Sequence, residues 1–210
     1  MRVPSPTASA KRFDSSSLGL QCFYGCLQKA VSDRAWVFHG VGVVRAGRGY
    51  MMLARSGGGK STLAALSEAG SATVLGDDAI LVLEKDGEFH LRPMPRQSGS
   101  PTSVAQLGDN TRLQRVFFLQ KAQRSPRAVA LTGVEAAARC LSDHVLFGFS
   151  EMTAEQRVLV LDRLLHLFRS VPAYVLHFCK DDSFWQVIEQ LEACDGSGGP
   201  VRPAMEPRSP

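Results

Sequence analysis

Three glycines followed by a lysine and a serine form the segment of this chain best suited to chemistry. They lie after the apolar run Tyr50 to Ala54 and before the helix-like run Thr62 to Leu66. Backbone amides in such a loop can surround a phosphate, the lysine reaches the outer phosphates, and the hydroxyl ligates Mg²⁺. The sequence therefore predicts a loop that binds the phosphates of ATP through Ser56, Gly57, Gly58, Gly59, Lys60, Ser61 and Thr62.

Two adjacent carboxylates, Asp77 and Asp78, follow an apolar strand, 17 and 18 residues after Lys60. One carboxylate can hold Mg²⁺ while the other accepts a proton from an attacking hydroxyl, and phosphoryl transfer needs both functions besides phosphate binding. A solvated pair at a turn is the alternative interpretation. The nearby phosphate-binding loop favours the functional one.

The histidines show no metal-binding spacing. His39 stands 21 residues before Lys60 among apolar neighbours, where a core histidine is the default expectation. The remaining four are expected to be structural or on the surface, because none of them forms a ligand motif: His90, His144, His166 and His177.

Strand-like and helix-like segments alternate through the body of the chain without an internal repeat, which favours an α/β domain. Residues 36–44 are β-rich, and Asp86-Gly87 between two apolar runs indicates a hairpin. A mobile loop is predicted at residues 92–110, and strands are predicted at residues 116–119 and 174–178. Three helices are expected to open on capping boxes, in which Thr132, Thr153 and Ser183 pair with Glu135, Gln156 and Gln186.

Composition excludes several classes of protein. The chain has 210 residues, is 44% hydrophobic and carries a net charge of +4, most of it at the two ends. Nucleic-acid binding is therefore not expected. A basic stretch between Arg112 and Arg139 is interpreted as a solvated face rather than a site for an acidic partner. Five scattered cysteines fit a reduced, cytoplasmic protein, and no segment predicts export or membrane insertion.

The expected organisation is one domain between two tails. Residues 1–18 and 196–210 are rich in Pro, Ser, Gly and Arg and predict disorder. Residues 19–195 then form the domain.

At its motifs the chain resembles the catalytic domain of HPr kinase/phosphorylase and its shorter kinase-like relatives. The shared features are His39-Gly40-Val41, the run Ser56 to Ser61, and Asp77-Asp78, at matching intervals, with a weaker likeness over residues 170–178. The resemblance implies a P-loop fold of the phosphoenolpyruvate-carboxykinase-like type, a mixed β-sheet with flanking helices. It also leaves a homo-oligomer open, because the full-length enzymes form rings.

The resemblance implies a role for each matching residue. Asp77 corresponds to the base that deprotonates an acceptor serine, Asp78 lies near the metal beside Ser61, and His39 lies at the edge of the site with Lys60. The short relatives imply a serine on a small protein or precursor peptide as acceptor, in a peptide-modification gene cluster. The chain lacks the signature that follows the Asp pair in full-length enzymes, and Arg92-Pro93-Met94-Pro95-Arg96-Gln97 stands there.

The leading hypothesis is an ATP- and Mg²⁺-dependent kinase acting on a serine hydroxyl. Because that signature is missing, a non-catalytic nucleotide-binding accessory protein is the second hypothesis. A kinase of a small metabolite is the third, because the motifs do not specify the acceptor.

Overall fold

The computed structural model of the chain describes residues 35–76, 79–93, 111–143, 146, 149 and 152–196. These residues form nine strands and four helices. The strands are β1 (Ala35–Phe38), β2 (Gly40–Arg45), β3 (Arg48–Leu53), β4 (Thr73–Gly76), β5 (Ile80–Lys85), β6 (Glu88–Arg92), β7 (Thr111–Lys121), β8 (Arg127–Leu131) and β9 (Ala173–Phe178). The helices are α1 (Lys60–Ala69), α2 (Gly133–Ser142), α3 (Ala154–Ser170) and α4 (Phe184–Gly196).

All nine strands join one mixed sheet around β7, which confirms the predicted α/β class. The strands follow the order β1-β5-β6-β7-β3-β2-β4, and β9 pairs with both β7 and β8. Strands β3, β7 and β9 run parallel to one another, and the other pairings are antiparallel. The long β7 belongs to both halves of the sheet, since its first residues pair with β6 and its later ones with β3 and β9.

Helices cover both faces of the sheet, because the central strands are apolar on both sides. Met51 and Leu53 of β3 pack in one core with α2 and α3. Tyr50 and Met52 of the same strand pack in a second core with α1 and α4. Successive side chains of a strand point to opposite faces, and strands buried on both faces read as continuous apolar runs.

The hairpin prediction is confirmed. Strands β5 and β6 are joined by Asp86 at φ 54° and Gly87 at φ 79°, and the same left-handed pair of conformations recurs at Ala46 and Gly47 between β2 and β3. Two consecutive positive φ angles match the twist of a tight hairpin.

Two sequence-based expectations need correction. The β-rich run 36–44 is not one strand, because the chain bends at His39 and gives β1 and β2 different partners, β5 and β3. The basic stretch from Arg112 to Arg139 is not one solvated face either. Arg115 is buried, with NH1 3.7 Å from Glu192 Oε1.

Two of the three predicted capping boxes form as expected. The side chains of Thr132 and Thr153 accept from the amides of Glu135 and Gln156, and each box is reciprocated. Ser183 differs, because its amide and hydroxyl both donate to the Asp181 carboxylate. An aspartate two residues upstream readily makes such a turn.

Candidate functional site

Three chain segments meet at the edge of the sheet where the parallel strands end. Strand β3 ends at Leu53, β7 at Lys121 and β9 at Phe178, and Lys121 is paired with Phe178. Strand β2 begins at Gly40, which pairs with Leu53, so the bend at His39 also lies at this edge. In α/β sheets, ligands commonly bind beyond the carboxyl ends of parallel strands.

Residues 54–59, here named the glycine loop, connect β3 to α1 at this edge. The Gly58 amide donates to the Arg55 carbonyl at 2.9 Å, which closes a turn, and the Leu63 amide donates to the Gly59 carbonyl at 2.9 Å in the first helical bond. Gly59 is the helix N-cap and provides no side-chain cap. Amides in the first turn of a helix lack acceptors within the helix, and they favour anions.

Two glycines of the loop hold conformations that other residues rarely adopt. Gly57 has φ 73° and Gly59 has φ 102°. A Cβ at Gly59 would also stand 2.5 Å from Cζ of Phe178, at the end of β9. The loop therefore packs directly on the neighbouring strand end, and glycine is required at Gly59 for both conformation and space.

Lys60 is almost fully buried beneath the loop. Its ammonium donates to the carbonyl oxygens of Ala54 at 2.8 Å and of Arg55 at 3.2 Å, and the residue is 7% exposed. These bonds hold the cation at the base of the loop. A buried ammonium is costly unless it is hydrogen-bonded, as it is here.

The loop encloses a cavity of about 260 Å³ that we name the first cavity. Lys60 and Lys121 give the wall of this cavity positive charge, which suits an anionic ligand. The other lining residues are His39, Ser56, Gly57, Gly59, Ser61 and Thr62. The structure thus brings together His39 and most of the predicted loop residues. Gly58 is not among the lining residues, since its amide is used in the turn.

Sequence reasoning missed the part that Lys121 plays. It was grouped with a basic stretch interpreted as a solvated face, whereas the structure places it on the wall of the first cavity. The available signal was its position two residues after the buried run Val116 to Leu119. A lysine that follows a buried parallel strand lies at the edge where ligands bind.

Asp77 and Asp78 lie outside the described residues. Strand β4, which precedes them, is antiparallel to β2, and β2 is antiparallel to β3. Strands β3 and β4 therefore point the same way, and Gly76 ends β4 on the side of the sheet where the glycine loop begins. The described residues contain no group of three or more His, Cys, Asp or Glu side chains arranged to hold a metal ion.

An ion pair ties the glycine loop to the end of α2. Arg55 Nε lies 2.8 Å from Asp143 Oδ1, and the Arg55 guanidinium also donates to the Ser142 carbonyl at 3.1 Å. Arg55 is largely exposed, so this contact fixes the position of the loop more than it stabilises the fold.

A second cavity, of about 340 Å³, adjoins the first. Thr62 and Lys121 line both cavities, so the two lie side by side along these residues. The other lining residues of the second cavity are Ala122, Gln123, Phe178 and Lys180.

Fold and site together define an α/β protein with a cationic cavity at the carboxyl edge of its parallel strands. The chain belongs to the ScmC family, described as SynChlorMet cassette proteins, whose model matches residues 17–193. Comparison with curated proteins finds no match. Within the described part of the chain, no helix is long and apolar enough to cross a membrane.

Proposed function

We propose that this protein is an ATP-dependent kinase that transfers a phosphoryl group to a serine hydroxyl of a small protein or precursor peptide. The single observation that carries the proposal is the first cavity, in which a glycine loop, Lys60, Ser61 and His39 converge at the carboxyl edge of parallel strands. This is the sequence context and strand-to-helix placement that phosphate-binding loops require.

The proposed fold is the P-loop type of HPr kinase and phosphoenolpyruvate carboxykinase. It is supported by the glycine loop between a central parallel strand and a helix, and by the position of His39 next to the end of β3. The match of intervals among His39, Lys60 and the Asp pair supports the same lineage.

The glycine loop, the two lysines of the first cavity and Ser61 have defined parts in the proposed reaction. The loop amides and Lys60 would bind the phosphates, with Lys121 adding a second cation, while Ser61 and Asp78 would hold Mg²⁺. A bound Mg²⁺ would supply positive charge that offsets the charge on the phosphate oxygens. The residues present fit phosphates and Mg²⁺, because Lys60 and Lys121 give the cavity wall positive charge and Ser61 offers a hydroxyl ligand.

The transfer itself needs one base. Asp77 accepts the proton of the serine hydroxyl as the serine oxygen forms a bond to the γ-phosphorus. The bond from that phosphorus to the β–γ bridging oxygen breaks, and ADP leaves with the electron pair. The products are ADP, phosphoserine and the proton now on Asp77.

The family description supports a search for the acceptor among partner gene products. It names the relatives as proteins of a cassette, and the other members of the same cassette are therefore the first candidates for a protein or peptide substrate. The proposal places the reaction in the cytoplasm, where ATP is supplied.

The test is transfer of label from γ-labelled ATP, with Mg²⁺, to the peptides and proteins of the cassette. Wild type is expected to form labelled phosphoserine, and Asp77→Asn to do so at least about 100-fold more slowly because it has lost the base. Asp162→Asn, at an exposed position of α3, is the matched control. Equal transfer by wild type and Asp77→Asn would contradict the role of Asp77.

The second candidate is a nucleotide-binding accessory protein that transfers no phosphate. The motivating observation is the segment that begins Arg92-Pro93 in place of the downstream signature. ATP binding without labelled product from any cassette member would favour it. A labelled small molecule would instead favour a metabolite kinase.

A further inference from the structure

The second cavity has no part in the reaction described so far, yet it shares two lining residues, Thr62 and Lys121, with the first. We propose that it binds the nucleoside moiety of the nucleotide whose phosphates occupy the glycine loop. This inference rests on the proposed function, because it assigns the base and ribose of the same ligand.

The position of the two cavities side by side supports this placement. The helix residue Thr62 and the strand-end residue Lys121 line both cavities. A first cavity of about 260 Å³ suits a phosphate chain, whereas a whole nucleotide needs a site of at least about 300 Å³. With the phosphate chain in the first cavity, the neighbouring second cavity is the space that we assign to the nucleoside.

The chemistry of the second cavity also matches a nucleobase. Phe178 and Ala122 offer apolar surface, and the aliphatic stems of Lys121 and Lys180 can add to it. The Gln123 amide has a donor and an acceptor side by side, which is the arrangement that the edge of a purine complements. A flat ring with apolar faces and a polar edge fits these walls.

A backbone hydrogen bond holds this wall of the second cavity in place. The Ala122 amide donates to the Phe178 carbonyl at 2.9 Å, so the pairing of β7 with β9 continues one residue into the cavity wall. Phe178 is buried and also supports Gly59. The same aromatic residue thus lies beside both the glycine loop and the second cavity.

The placement gives the bound nucleotide a direction. His39 lines only the first cavity, while Lys180 and Gln123 line only the second. With the nucleoside beyond Lys121, the terminal phosphate lies on the side of the first cavity away from the second cavity. The acceptor hydroxyl then approaches past His39.

The test compares calorimetric binding of MgATP and of inorganic tripolyphosphate to the full chain. Wild type is expected to bind ATP at least about tenfold more tightly than tripolyphosphate, because base contacts contribute that much or more. Ala122→Phe fills the second cavity and retains the backbone amide. It is expected to lower the affinity for ATP about tenfold and to leave the affinity for tripolyphosphate within about twofold of wild type.

A second variant does not depend on filling the cavity. Gln123→Ala is expected to weaken ATP about threefold, as for the loss of one exposed hydrogen bond, with no effect on tripolyphosphate. Gln190→Ala, at an exposed position of α4, is its matched control. Thermal unfolding of each variant verifies the fold.

Four outcomes would overturn the assignment. Equal wild-type affinity for both probes would place the nucleoside elsewhere while leaving phosphate binding intact. Equal weakening of both probes by Ala122→Phe would show that the substitution acts on phosphate binding and not on a nucleoside in the second cavity. Unchanged ATP affinity with reduced transfer to an acceptor would make the second cavity an acceptor site. Failure of wild type to bind either probe would overturn the proposed function and this inference together.

Discussion

Gly59 shows how one residue links the fold to the site. It begins α1, holds φ 102°, and stands where any Cβ would meet the Phe178 ring. The loop therefore depends on the end of β9 as well as on its own sequence. A residue with a side chain at this position would disturb the turn that places Lys60 and Ser61.

We predict that Gly59→Ala lowers the free energy of unfolding by at least about 2 kcal/mol, because it combines left-handed strain with a steric clash. Gly87→Ala is the matched control. Gly87 has φ 79°, but a Cβ there would meet nothing within 4 Å, so strain alone should cost about 1 kcal/mol. Urea denaturation measures both, and equal losses would contradict the packing of Phe178 on the loop.

At the scale of elements, the helices begin where their caps satisfy the first amides. In the box that opens α2, the Glu135 carboxylate accepts from the amide and the hydroxyl of Thr132, each at 2.8 Å. These bonds hold the pKa of Glu135 below its ordinary value. The box that opens α3 has Gln156 in the same place, which does not titrate.

We predict that the stability advantage of wild type over Glu135→Gln depends on pH. Folding lowers the pKa of Glu135. The contribution of its carboxylate to stability is therefore fully present above the unfolded-state pKa and is lost as pH falls through the lower folded-state pKa. The advantage should therefore shrink as the pH drops below about 4.5. Urea denaturation at several pH values measures it, with Asp162→Asn as a control for removing one carboxylate. An advantage that grows on acidification would contradict the cap.

The packing of α4 against the sheet depends on a partly buried cluster of charges. Glu192 accepts from Arg48 and from the Tyr50 hydroxyl, and it lies near the buried Arg115, which also donates to the Leu191 carbonyl at 3.3 Å. Burial, together with the bond to Glu192, raises the pKa of Tyr50. Neutral tyrosine is thus the form of Tyr50 that the fold favours.

We predict that Glu192→Ala lowers the free energy of unfolding by about 3 kcal/mol, because it removes the carboxylate that lies beside the buried Arg115 and accepts from Arg48 and Tyr50. Glu189→Ala is the matched control on the same helix. Its carboxylate lies 2.9 Å from Arg45 NH2 but is 56% exposed, and its loss should cost less than about 1 kcal/mol. Similar losses in thermal or urea unfolding would show that Arg115 does not need Glu192.

At the scale of the whole molecule, the sequence predicted much of the architecture and only part of the site. Hydrophobic periodicity, turn residues and capping residues predicted the α/β class, the hairpin at Asp86-Gly87 and the N-termini of α2 and α3. These features depend on residues that are close together in the sequence. The pairing of β7 with β3 and β9 depends on contacts distant in sequence, so neither the place of Lys121 nor the second cavity could be predicted. The exposed strand β8 has a weak apolar pattern and was not predicted.

The position of His39 is intermediate between these cases. Its apolar neighbours predicted a strand and a core position, and the family resemblance at His39-Gly40-Val41 implied a place at the edge of the site. The structure puts it on the wall of the first cavity because β2 begins opposite the end of β3. The bend that separates β1 from β2 is what brings it there.

The most direct test of the account is calorimetric binding of MgATP to wild type and to Lys60→Ala, with Lys85→Ala, an exposed lysine of the β5–β6 hairpin, as control. Wild type and Lys85→Ala are expected to bind with equal affinity. Lys60→Ala is expected to bind at least about tenfold more weakly, because a charged hydrogen bond to phosphate contributes that much. No binding by folded wild type, or equal binding by all three proteins, would contradict nucleotide binding at the glycine loop.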